Sequence, residues 1–110
     1  MGVFQVFRSS ANNEFRYRLK ATGNSEIILS GEGYASRQNC HNGIASVKAN
    51  CLYDARFVRR DLPSNYTFNL IAGNGEIIGR SENYTSAAAR ENGITAVKRD
   101  APDAKIDDLL

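Results

Sequence analysis

Residues Glu26 to Lys48 read EIILSGEGYASRQNCHNGIASVK, and the pattern returns fifty positions later, from Glu76 to Lys98, as EIIGRSENYTSAAARENGITAVK. Glu26, Ile27, Ile28, Glu32, Tyr34, Ser36, Asn42, Gly43, Ile44, Val47 and Lys48 recur as Glu76, Ile77, Ile78, Glu82, Tyr84, Ser86, Asn92, Gly93, Ile94, Val97 and Lys98. A pattern repeated within one chain is one structural unit used twice. What recurs is packing, turn and capping chemistry, with no metal set, nucleophile or phosphate loop. The repeat therefore specifies architecture and leaves the activity open.

Upstream of each copy the chain reads as strands. Val3 to Phe7 is a short β-rich run, and Ser9 to Asn13 supplies turn residues. Phe15, Tyr17, Leu19 and Ala21 then alternate with Arg16, Arg18 and Lys20, which predicts a half-buried strand. Tyr66, Phe68, Leu70 and Ala72 repeat the apolar parity, opposite Thr67, Asn69 and Ile71, and Leu62 to Asn65 is the matching turn. Gly23-Asn24 and Gly73-Asn74-Gly75 are hairpin turns, because Gly and Asn tolerate positive φ. A third strand follows in each half, through Ile27 to Leu29 and Ile77 to Ile78.

Ser36 and Ser86 are placed to cap helices running to about Ala49 and Arg99. Cys40, Gly43, Ile44 and Val47 form an apolar helical stripe, continued by Gly93, Ile94 and Val97. A mid-helix glycine costs about 1 kcal/mol against alanine, so its recurrence predicts a close approach of the helix to the sheet. After the helices, Asp54-Ala55-Arg56-Phe57 and Asp103-Ala104-Lys105-Ile106 read as extended pieces. The first runs on through Val58 and Arg60 to open the second copy.

Length bounds the organisation. At 110 residues the chain is one domain's worth, and either half alone is of marginal size. A single domain of residues 1–110 is expected, made of two repeats at about 1–54 and 55–110. Hydrophobic residues at 42% and charged residues at 24% are ordinary for a globular protein, and a formal charge of +2 demands no acidic partner. No apolar run is long enough to span a bilayer and no leader is recognisable, so the expected compartment is the cytoplasm, with no membrane partner. Cys40 and Cys51 on one helix would sit about 16 Å apart, too far for a disulfide.

Three strands, a helix and a strand, used twice, assemble most simply as an α+β fold: one mostly antiparallel sheet with both helices on one face. In this the chain resembles the YegP-like proteins of unknown function. The residues that carry the resemblance are Phe15-Arg16-Tyr17-Arg18-Leu19-Lys20, Gly75 to Ile78, Tyr34, Ser36, Asn42 to Ile44, and the closing Val-Lys. It implies two tandem β3-α-β repeats in one sheet, with the closing strands exchanged between repeats. It brings no activity, substrate, cofactor or catalytic residue. The chain departs from the pattern where Thr22 to Ser25 lengthens the first hairpin turn and where Thr67 and Asn69 replace a basic pair.

No catalytic constellation is assembled by the sequence. The one imidazole, His41, lies beside Cys40 and has Glu91 as its counterpart, and Glu32 and Glu82 are charges near strand ends. An enzyme is not expected, nor a metal or cofactor. Parity places Arg16, Arg18 and Lys20 on the sheet face away from the helices, together with Gln5, Phe7, Ile28, Val58, Arg60, Asn69, Ile71 and Ile78. Arg16, Arg18, Lys20, Phe7, Arg60 and Asn69 are the candidate binding residues. A monomeric binding or interaction module of unassigned partner, a protein among the candidates, is the expected class. The alternative is weak binding of single-stranded RNA or DNA on the basic sheet face.

Overall fold

The computed structural model describes residues 2–23 and 25–110; Asn24 of the first hairpin turn lies outside them. The first repeat contributes β1 (Val3–Arg8), β2 (Phe15–Lys20), β3 (Ile27–Ser30) and α1 (Arg37–Asn50). The second contributes β4 (Phe57–Leu62), β5 (Asn65–Ile71), β6 (Ile77–Arg80), α2 (Ala87–Asp100) and β7 (Lys105–Asp108). All seven strands join one sheet in the order β4-β5-β6-β3-β2-β1-β7. It is antiparallel except where β7 lies parallel to β1. The strand that follows each helix pairs with the other repeat, β4 with β5 and β7 with β1.

The core lies between the sheet and the two helices, because the alternating apolar residues of the strands meet the helical stripes there. Phe4, Val6, Tyr17, Leu19, Phe68 and Leu70 are fully or almost fully buried, against Cys40, Ile44, Val47, Ile94 and Val97. Each helix packs on the second strand of its own repeat and on the third strand of the other. Ser36 and Ser86 have extended backbones and accept from the amides of Asn39 and Ala89 at 3.1 and 3.0 Å. Ser36→Ala and Ser86→Ala are each expected to lower stability by about 1 kcal/mol. The two losses should add in urea unfolding, since the caps share no partner.

Three expectations are corrected. Asp54–Arg56 is a single 3-10 turn, and the strand starts only at Phe57; Tyr53, extended, precedes the turn, and the amide of Arg56 closes it on the carbonyl of Tyr53. In the second repeat the chain turns through 101–103 and its strand begins at Lys105. Ile28 and Ile78 face the helices, not the open side. A register shift between Leu19 and Lys20 leaves Ile28 as the extra residue of β3, and the shift between Leu70 and Ile71 does the same for Ile78. A bulge turns two successive side chains to one face, and both isoleucines are buried. No continuous apolar patch of Phe7, Ile28, Val58, Ile71 and Ile78 therefore exists, and Phe7 and Val58 lie five strands apart.

The mid-helix glycines do mark a close approach, made by a tyrosine ring. A Cβ on Gly43 or Gly93 would collide with the hydroxyl of Tyr34 or Tyr84. Both tyrosines lie just beyond the third strands, bridged to Phe15 and Tyr66. β3 and β6 share one paired position, Ser30 opposite Arg80, so the sheet parts on either side of the bridge. Across one of these partings the Tyr17 hydroxyl donates to the carbonyl of Ile78, stitching one repeat to the other.

The two sheet edges differ. β7 covers β1, and Lys48 of α1 donates to the Ala104 carbonyl at 2.8 Å just before it. No strand covers β4, and its counterpart lysine, Lys98, turns to Asp54 at 2.9 Å. Arg59 joins Asp54 at 3.0 Å and Glu91 at 2.8 Å, and Arg90 reaches Asp61. Charged side chains along an open edge discourage pairing with another strand.

Candidate functional site

The sheet face opposite the helices is built by strand parity alone. Register puts Val3, Gln5 and Phe7 of β1 beside Lys20, Arg18 and Arg16 of β2. On the far half it aligns Val58, Arg60 and Leu62 of β4 with Asn69, Thr67 and Asn65 of β5. Lys105 and Asp107 extend the face on β7, opposite Val3 and Gln5. Arg16, Arg18, Lys20, Phe7, Arg60 and Asn69 thus share one face, but as two groups. Arg60 and Asn69 belong to the β4–β5 edge, and the other four to β1 and β2.

The β1–β2 group is organised. Arg18 donates to the Gln5 side chain at 2.8 Å, and its guanidinium lies over the Phe7 ring, 4.7 Å from the centroid. Arg16 has one weak contact, with Glu14 at 3.8 Å. Lys20, Arg60 and Lys105 make no ion pair among the described residues. A guanidinium over a half-buried ring keeps its outer edge open to water. Lys105 was not among the residues singled out in the sequence, because its place beside β1 depends on β7 crossing to the other repeat.

Several other titratable groups are structurally occupied. His41 lies 3.4 Å from Asp108 Oδ2, which Arg37 also holds at 2.7 Å, so the imidazole helps anchor β7 to α1. Hydrogen bonding from the Leu110 amide, and then from Arg37 and His41, holds the Asp108 carboxyl below its usual range against some desolvation. Glu32 is paired with Arg80 at 2.8 Å. Cys40 and Cys51 are free and buried, and burial pushes the Cys40 thiol up to about 11, so neither resembles an activated nucleophile. Among the described residues no group of His, Cys, Asp and Glu is disposed to hold a metal. Nor, among the described residues, is any helix long and apolar enough to cross a membrane.

Comparison with known proteins fits this picture. The family described as a domain of unknown function, DUF1508, matches residues 10–57 and again 64–108, one match per repeat. The chain is 45% identical over 106 residues to the UPF0339 protein in the ptx operon 5' region of Stutzerimonas stutzeri, covering 96% of this chain and 94% of that one. It is 47% identical over 49 residues to a UPF0339 protein of Treponema denticola, covering 44% of this chain and 81% of that one. The solution NMR structure of yegP from E. coli superposes with a TM-score of 0.90 at 39% identity, over 98% of this chain and 92% of that one. With both halves matched and the fold shared along the whole length, the chain belongs to the YegP-like DUF1508 family, to which no specific activity is assigned.

Proposed function

We propose that the protein is a non-enzymatic binding module that works through the open face of its sheet, and that its partner there is an acidic polypeptide surface. The observation that supports this reading is the row of cations on that face. Arg16, Arg18 and Lys20 on β2 and Lys105 on β7 stand on either side of β1, and Asp107 is the acid that register sets among them. Two such faces repel each other, which argues for an anionic partner and against self-association here. Single-stranded nucleic acid is the other anionic candidate. The face offers one aromatic ring, Phe7, and Arg18 already covers it, so a stacking platform is lacking.

The test is an amide NMR titration of labelled protein with a short glutamate-rich peptide and with short single-stranded DNA, at low and high salt. Shifts confined to β1, β2 and β7, larger for the peptide and weakened by salt, are expected. Larger shifts with DNA would replace the partner class, and a silent face would remove the reading. Arg16→Ala with Arg18→Ala should weaken the peptide response at least tenfold. The cost to stability should stay near the ~0.5–1 kcal/mol of an exposed cation–π contact, read by urea unfolding.

A further inference from the structure

The residues that recur between the repeats converge on two grooves, one on each side of the bridge between β3 and β6. The first lies between α1 and the β5–β6 hairpin, has a volume of about 870 Å³, and is lined by Tyr34, Asn42, Gly43, Glu76 and Ile78. The second is lined by their counterparts Tyr84, Asn92, Gly93, Glu26 and Ile28, and has a volume of about 220 Å³. Each is therefore built from the helix of one repeat and the hairpin of the other. Arg99, held to Asp100 at 2.8 Å, is part of the lining of the second; the counterpart of Arg99 in the first repeat is Ala49.

Packing explains only part of this recurrence. Gly43 is required by the ring of Tyr34, and Ile78 fills the floor, but Asn42 and Glu76 are exposed and contribute nothing to the core. The Tyr34 hydroxyl, on a half-buried ring, makes no hydrogen bond to the protein among the described residues, nor does the Glu76 carboxylate make a hydrogen bond or ion pair. Glu32, the other acid of the first groove, is neutralised by Arg80. The first groove thus presents one uncompensated carboxylate, a free phenolic hydroxyl and the Asn42 carboxamide above an apolar floor of Ile78 and Ala72. Burial raises the Tyr34 phenol, and the neighbouring Cys40, Glu32 and, least, Glu76 add to it, so the hydroxyl stays protonated.

We propose that the groove between α1 and the β5–β6 hairpin is a binding site for a primary ammonium carried on a short aliphatic chain. Glu76 takes the charge, the Tyr34 hydroxyl and the second lone pair of the Asn42 carbonyl, whose first accepts from Gln38 at 3.1 Å, accept the remaining ammonium hydrogens, and the methylenes lie on Ile78 and Ala72. Phosphates and carboxylates are disfavoured by Glu76. The same chemistry comes from two sources, a free alkyl diamine or the lysine side chain of a polypeptide. This site is separate from the open sheet face and does not depend on it.

The test uses the full chain, labelled for amide NMR, titrated with 1,5-diaminopentane, with N-acetyl-lysine methylamide and with 1,5-pentanediol as a neutral isostere. Shifts at Gly43, at Glu76 and at the Asn42 side chain are expected for both amines and not for the diol. The amine that binds more tightly identifies the source. Glu76→Gln, at an exposed position that leaves the fold intact, should weaken amine binding at least tenfold. Tyr34→Phe, which keeps the ring on Gly43, should weaken it severalfold. Silence with both amines, equal binding of the diol, or undiminished binding by Glu76→Gln would overturn the proposal.

Discussion

Gly31→Ser is expected to cost about 2–3 kcal/mol in urea unfolding, although glycine here adopts no left-handed backbone. A Cβ at this position would enter the ring of Tyr17, which is 1% exposed and wedged between Phe4 and Tyr34 at centroid distances of 5.7 and 6.4 Å. The ring has no free space to retreat into, and any tilt breaks its hydroxyl's bond to the Ile78 carbonyl, leaving that buried oxygen unpaired. The second repeat has already solved the same problem differently. Ser81 stands at the Gly31 position, Phe68 replaces Tyr17, and the Ser81 hydroxyl accepts from the Phe68 amide at 2.9 Å. Gly31→Ser combined with Tyr17→Phe should therefore lose distinctly less than the sum of the two single changes. Additive losses would show that ring and glycine are not coupled.

The second large effect is expected at Asp100, whose carboxylate is fully buried at the end of α2. It accepts from the Thr22 amide at 3.2 Å and from the Thr22 hydroxyl at 3.0 Å, tying the first repeat's hairpin turn to the second repeat's helix. Arg99 adds bonds of 3.0 and 2.8 Å. Asp100→Ala is expected to cost about 3 kcal/mol, since it removes the buried acceptor shared by the Thr22 amide and hydroxyl. Little of that comes from Arg99, which is 59% exposed and well screened.

The same carboxylate gives the fold an acid limb. Bonding to Arg99, and then to Thr22, holds Asp100 well below the usual carboxylate range despite burial. A depressed folded value means that this contribution is complete above the unfolded pKa of about 3.9 and is lost as pH falls from there through the folded value. Stability measured downward from about pH 4 should fall more steeply for the native chain than for Asp100→Asn. Parallel curves would rule Asp100 out as a source of the acid sensitivity.

Much of this architecture was legible in the residues. Ser36 and Ser86 start their helices as capping chemistry predicts, and the alternation of Phe15 to Lys20 fixes both faces of β2. The misplacement of Ile28 has its origin in three successive apolar residues. Ile27-Ile28-Leu29 contains no alternation, so nothing local reveals that β3 carries one residue more than its partner. The turn at Asp54–Arg56 is equally opaque, since its sequence is compatible with extended chain. The grooves were hidden for another reason. Tyr34, Asn42 and Glu76 stood out as recurring residues, but each groove draws on both repeats. Reading either copy alone gave them turn and packing roles. The exposed positions among the recurring residues were the available clue.

Because each helix roofs the other repeat's third strand and β7 closes on β1, neither repeat carries a finished surface of its own. A chain holding one repeat, the span that the Treponema denticola protein shares with this one, would meet the same geometry with its roof and last strand unclaimed. Two such chains docking reciprocally would rebuild both. Duplication inside one chain turns that encounter from a bimolecular event into an intramolecular one, at the high effective concentration set by a short connection. What dilution could undo between separate chains, the turn from α1 into β4 makes permanent.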